Sequence, residues 1–128
     1  MMKNYRETDP EFAERVEHFA FDEVVNEPGQ QLDEVTRHTA ILAALLGCQG
    51  TEAFRRELPQ ALDAGVTPVM AKEIVYQAVD YLGMGRVLPF LDITNEVLTA
   101  RGVALPLEGQ ATTTMEDRLE NGAQAQAD

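Results

Sequence analysis

The segment from Leu32 to Gly83 limits the fold of this chain more than any other. It reads LDEVTRHTAILAALLGCQGTEAFRRELPQALDAGVTPVMAKEIVYQAVDYLG, with apolar residues at helical spacing in three successive stretches and Gly or Pro at the boundaries. Asp33 can cap the first stretch, whose apolar face includes Val35, Ile41, Leu42, Leu45 and Leu46; Gly47 stops it. A tight Gly47-Cys48-Gln49-Gly50 corner follows. Thr51 can cap the next stretch, with Phe54, Leu58, Ala61 and Leu62 inward and Gly65 in the terminating position. Pro59 removes one helical hydrogen bond there, so a kink or a break is expected. Thr67-Pro68 is a cap residue followed by proline, a strong helix start. Ile74, Val75, Ala78, Val79 and Leu82 then make a broad buried face, and Gly83 and Gly85 break the run.

The flanks read the same way. Asp9-Pro10 opens a first helix with Phe12, Val16, Phe19 and then Val24 in one stripe, and Glu27-Pro28-Gly29 ends it. A helix from about Arg86 to Arg101 carries Val87, Phe90, Leu91, Val97 and Leu98, closed by Gly102. No stretch alternates convincingly with a period of two. The class is therefore all-α, a bundle of about five to six helices, with short connections that make neighbours antiparallel. After Gly102 the character changes. VALPLEGQATTT reads as a linker, and MEDRLENGAQAQAD as polar but helix-competent, with Thr114 as a candidate cap. The expected organisation is a helical domain over 1–104 and a linker with a polar helical tail over 105–128. That tail is either the beginning of a second repeat or a frayed or partner-docked end.

Composition narrows the function. The chain has 128 residues, 45% of them hydrophobic, enough for the core of one ordinary domain. Its 22 acidic and 10 basic residues give a net charge of −12. That excess argues against nucleic acid or an anionic membrane surface, both of which call for Lys and Arg. The longest apolar run, Ala40 to Gly47, falls far short of the ~20 residues that span a bilayer, and the N-terminus lacks the apolar core of a signal peptide. One cysteine cannot form an internal disulfide, and a cytoplasmic location is expected.

Several pieces of the sequence, weak singly, stand in a telling order. Phe19 and Phe21 precede the core; Thr36-Arg37 opens the second helix; Gly65-Val66-Thr67 follows the third; Glu73-Ile74 and Gln77 lie in the fourth, which ends in Tyr81-x-Gly83. Over roughly residues 12 to 101 this set resembles the carboxymuconolactone decarboxylase family, within the alkylhydroperoxidase D-like superfamily. The resemblance implies an alkylhydroperoxidase D-like helical bundle that assembles as a homo-oligomer, a trimer or hexamer. It also implies either lyase chemistry or a peroxiredoxin-like activity. In the peroxidase branch a glutamate follows the position matched by Arg37. Two cysteines in a C-x-x-C arrangement open the third helix, and a histidine follows four residues later. Alignment on Gly65-Val66-Thr67 puts that glutamate at His38, the cysteines at Gly50 and Ala53, and the histidine at Glu57. Both cysteines are missing, so cycling of an internal dithiol is not expected. The decarboxylase branch does without the pair, usually with a histidine at the position of Glu57.

The chemistry expected here is an exchanged pair. His38 stands about 11 residues before the corner and Glu57 about 8 after it, which at ~1.5 Å per residue puts them within ~4–5 Å in height on an antiparallel pair. A carboxylate beside an imidazole makes a proton-transfer dyad, as against an ordinary surface or structural hydrogen bond. Arg37 can hold a substrate carboxylate in a bidentate grip, or pair with Asp33 or Glu34. Gln77 matches a polar family position and is a candidate for substrate binding, or part of a stripe with Glu73 and Asp80 that faces solvent or another subunit. Cys48 lies near the redox position. It is a reactive thiol if the third helix's N-terminus faces it, and otherwise a small buried apolar residue.

No cofactor and no metal are expected. His18 and His38 lack H-x-x-x-H or H-x-x-E-H spacing, Gly83-Met84-Gly85 lacks the rest of a phosphate loop, and there is no serine nucleophile elbow. Three functions follow. The first is a decarboxylase-like enzyme acting on a small carboxylated or lactone substrate by acid/base chemistry. The second is a thiol-dependent peroxidase or oxidoreductase using Cys48. The third is a non-catalytic oligomeric binding protein.

Overall fold

The computed structural model of the chain describes residues 5–29 and 31–127. Residues 1–4, at the head of the expected helical domain, and Asp128, at the end of its tail, lie outside the described residues. The helices are α1 (Pro10–His18), α2 (Val24–Asn26), α3 (Glu34–Gly47), α4 (Thr51–Asp63), α5 (Pro68–Gln77), α6 (Val79–Leu82), α7 (Met84–Ala100) and α8 (Arg118–Ala127). There is no strand among the described residues, and the all-α class stands. No helix among them is long and apolar enough to cross a membrane.

Local chemistry sets the boundaries. Asp33 caps α3, accepting from the Thr36 backbone N–H at 2.9 Å and the Thr36 hydroxyl at 2.6 Å. Thr67 caps α5 by accepting from the Met70 N–H at 3.1 Å, and Pro68 follows in the first helical position. Three helices end in one way. Gly50 N–H reaches back to Leu45 O, Val66 N–H to Ala61 O, and Val103 N–H to Leu98 O, at 2.8, 2.9 and 3.0 Å. Each of these closures places the preceding residue in the left-handed region: Gln49 (φ 62°), Gly65 (φ 108°) and Gly102 (φ 79°). Glycine fills that position without steric penalty twice; at the α3–α4 corner a glutamine does so.

Five expectations are corrected. Thr51 does not cap α4. It is the first helical residue, after Gly50, and no side chain caps that end. Pro59 neither breaks nor ends α4, which runs unbroken to Asp63. The first helix is interrupted by a π turn over Phe19–Glu23, closed by a bond from Val24 N–H to Phe19 O. The fourth helix breaks at Ala78 into α5 and α6. Only Gly83 (φ 81°) breaks the chain before α7; Gly85 lies inside that helix.

The core lies among α3, α4, α5 and α7, built from Leu42, Leu46, Phe54, Leu58, Val75 and Phe90 with smaller neighbours. Phe54 of α4 and Phe90 of α7 meet edge to face, with ring centroids 5.1 Å apart at 86°. Helices α3 and α7 each pack against both α4 and α5, so α4 and α5 occupy opposite corners. Arg55–Glu96 and Arg101–Asp63 ion pairs tie α4 to α7 and to the residue after it. After α7 the chain runs beside α5, where residues 106–110 flank Val69, Lys72 and Tyr76.

Candidate active site

The antiparallel α3–α4 pair brings His38 and Glu57 together. His38 Nδ1 stands 2.8 Å from Glu57 Oε1. The Asp33 cap fixes the turn just before His38. On α4, Glu57 follows Phe54 by one turn on the inward face, beside Leu58 and Ala61. Its side chain is only 3% exposed and that of His38 16%. A carboxylate taken out of water is costly unless paired, and His38 is the partner. The second carboxylate oxygen, Oε2, accepts from Gln60 Nε2 at 3.4 Å.

When the carboxylate is ionised it can only accept, and the proton of this bond is then the one on Nδ1. Nε2 is left as the exchangeable nitrogen. It lies 3.7 Å from Glu34 Oε2, too far for a direct hydrogen bond. Glu34 Oε1 in turn accepts from Arg37 Nη1 at 2.7 Å, and Arg37 Nη2 donates to Leu32 O at 3.0 Å. The result is a polar row, Gln60–Glu57–His38–Glu34–Arg37, that passes from exposed Gln60 through the buried Glu57 carboxylate to exposed Glu34, with a 3.7 Å gap between His38 and Glu34. Within it Glu57 fixes the ring from the buried side, and Nε2, on the side of exposed Glu34, can exchange a proton.

The other candidates lie apart from this row or are engaged within it. Arg37 is held by Glu34 and Leu32 rather than standing free. Cys48 is exposed and is the C-cap of α3, with Sγ donating to Leu45 O at 3.4 Å. It therefore belongs to the end of the second helix, not to the start of the third, and it is not buried. Gln77 does not reach the dyad. It lines an apolar groove of about 550 Å³ between α3 and α5–α6, with Thr39, Ala43, Leu46, Ile74 and Tyr81 among the walls. His38 and Glu57 are not part of that lining. Neighbouring residues of α3 thus face different spaces, His38 toward α4 and Thr39 toward the groove. The Thr39 hydroxyl is covered and has no hydrogen-bond partner among the described residues.

The sequence offered Glu34 as a partner for Arg37, as the structure has it, but Glu34 was not placed beside His38, and Gln60 was not singled out. The signal was present: Glu34 precedes Arg37 and His38 by three and four residues, and Gln60 follows Glu57 by three, the spacings at which helical side chains meet. Among the described residues no group of three or more His, Cys, Asp or Glu side chains gathers as a metal site would require.

No curated protein and no solved structure matches the chain. A family model described as Carboxymuconolactone decarboxylase family matches residues 10–96, which takes in α1 through most of α7 and both members of the His38–Glu57 pair. With two thirds of its length matched, and with an all-helical architecture in agreement, the chain belongs to the carboxymuconolactone decarboxylase family.

Proposed function

We propose that this chain is an acid–base enzyme of the decarboxylase type, acting on a small carboxylated or lactone substrate. The observation that carries the reading is the 2.8 Å contact between His38 Nδ1 and a Glu57 carboxylate buried within the α3–α4 pair. Imidazole and carboxylate stand at the two positions the family resemblance marks, in exchanged order. Decarboxylation breaks the bond to the departing CO₂ and leaves its electron pair in the conjugated carbonyl or lactone. A proton must then reach carbon. His38 delivers it from Nε2 while Glu57 holds the ring and steadies the imidazolium; water restores the proton. Arg37 takes the substrate carboxylate in place of Glu34, which is a solvent-exposed competitor at 2.7 Å. Gln77 contributes from the groove wall to holding the rest of the substrate. The enzyme works in the cytoplasm as a homo-oligomer, a trimer or hexamer.

The test is CO₂ release from a panel of small carboxylated lactones. His38→Gln is expected to lower turnover by about 10²–10⁴-fold with an unchanged circular dichroism spectrum. Wild-type turnover in that variant would overturn the reading.

A second reading rests on the exposed thiol of Cys48. In it the thiolate attacks a peroxide oxygen, giving a sulfenic acid and water or an alcohol, and an external thiol reduces the sulfenic acid through a mixed disulfide. Peroxide consumption that persists in Cys48→Ser would remove it.

A further inference from the structure

The two oxygens of the Glu57 carboxylate meet different neighbours. Oε1 lies 2.8 Å from His38 Nδ1, and Oε2 accepts from Gln60 Nε2 at 3.4 Å. The same Gln60 nitrogen donates to Arg56 O at 3.0 Å. That bond fixes which way round the amide stands. A carbonyl oxygen can only accept, so the group beside Arg56 O is the NH₂, and the group beside Oε2 is a donor. Both N–H bonds of the amide are then engaged, one on the backbone of its own helix and one on the carboxylate. Gln60 follows Glu57 by three residues on α4, so it reaches the buried carboxylate from an exposed position.

Nothing within a glutamate side chain sets the plane of its carboxylate, because the last torsion is broad and roughly two-fold. Neighbours set it, and here a contact on each oxygen selects the plane that serves both. With Oε2 held by a donor, a proton shared by the dyad lies between Oε1 and Nδ1. This decides the tautomer of the ring. A neutral imidazole carries one N–H, on the nitrogen that faces the better acceptor. Two carboxylates compete for it. That of Glu57 stands 2.8 Å from Nδ1 and is 3% exposed; that of Glu34 stands 3.7 Å from Nε2 and is 62% exposed. The first is a direct hydrogen bond shielded from water and the second is neither, so Nδ1 holds the proton.

We infer that Gln60 is a positioning residue for the dyad: by fixing the plane of the Glu57 carboxylate it holds the neutral His38 ring as the Nδ1–H tautomer, with Nε2 bare. This rests on the acid–base reading above and names what orients its proton carrier. A bare Nε2 takes a proton from solvent, forming an N–H bond there and an imidazolium beside the carboxylate. Delivery to the substrate carbanion breaks that same bond and restores the neutral ring, so protons and charge balance with no oxidant or reductant. Gln60 acts through Glu57 and not on the ring. Without its N–H the carboxylate plane is free to turn and the Oε1–Nδ1 bond weakens. The competition then shifts toward Glu34 and an Nε2–H ring, whose outer nitrogen has no lone pair left to load.

The experiment is the ring tautomer of His38, read from long-range ¹H–¹⁵N spectra of the full chain on the alkaline plateau where both rings are neutral. The chain has two histidines, and exposed His18 on α1 is the internal reference. Wild type is expected to show His38 as Nδ1–H. Gln60→Met keeps the length and loses the donors, and Gln60→Glu puts an acceptor in their place. Each is expected to raise the Nε2–H share of His38 about threefold or more and to leave His18 unchanged. Position 60 is exposed, so circular dichroism stays that of wild type. In CO₂ release, kcat falls about three- to tenfold at unchanged KM, because Gln60 does not touch substrate. An Nε2–H ring in wild type, or the wild-type tautomer in both variants, overturns the inference. A wild type that releases CO₂ from no lactone overturns the enzyme reading alone, since the tautomer is read without substrate.

Discussion

His38 and Glu57 close a hydrogen bond of 2.8 Å between α3 and α4, with the carboxylate on the dry side and the imidazole on the wet side. Removing the imidazole strands the carboxylate. His38→Ala is expected to destabilise the fold by about 3 kcal/mol, while His38→Leu/Glu57→Leu stays near wild type, because breaking one half of a buried pair costs more than replacing both. Urea unfolding of the two variants decides this; equal losses would mean that the pair contributes no such coupling.

Glu34 competes for the cations at the outer end of the row. It holds Arg37 at 2.7 Å and faces His38 Nε2 at 3.7 Å. Glu34→Gln therefore frees Arg37, and binding of a small carboxylated ligand should tighten about two- to fivefold, the worth of an exposed ion pair. Calorimetric titration of both proteins with the same ligand measures it.

The three left-handed helix ends are not equivalent. A methyl group on Gly65 meets Val35 Cγ2 at 3.2 Å on a backbone with φ of 108°, so Gly65→Ala should cost about 1–2 kcal/mol. Gln49 sits in the same region at φ 62°, and Gln49→Gly should gain up to about 1 kcal/mol. Shifts in the denaturation midpoint at constant slope are the readout.

Asp33 gives the fold an acid limit. The Thr36 hydroxyl, and after it the Thr36 backbone N–H, hold its carboxyl below the ordinary value of 3.8. A depressed value stabilises the folded state above the unfolded value and loses that contribution as the pH falls through the folded one. Asp33→Asn should thus have a lower melting temperature than wild type at pH 7, and the difference should shrink on acidification below 3.8. A constant difference across that range would deny the cap its charge.

Where the sequence spoke through local chemistry, it was legible. Asp33 and Thr67-Pro68 mark helix starts because each supplies an acceptor at the point where free N–H groups need one, and Gly65 marks an end because its backbone needs a positive φ. Helix rise put His38 and Glu57 at nearly one depth once the family resemblance had singled out the two positions. Thr51 was misleading because the corner supplies Gly50 in the capping position, and Pro59 because α4 runs on through it to Asp63. The π turn and the groove were hidden. The first depends on one hydrogen bond shifted by a residue, and the second on how α3 and α5 are set apart by packing. Neither has a spacing signature.

Helix α3 serves as a party wall. One side carries His38 toward α4, and the adjoining side carries Thr39 and Ala43 toward the groove. A rigid rod cannot turn one side without turning the other, so a guest against Ala43 that rotated α3 would carry the imidazole with it. The ring resonances of His38 are where such a rotation would be seen.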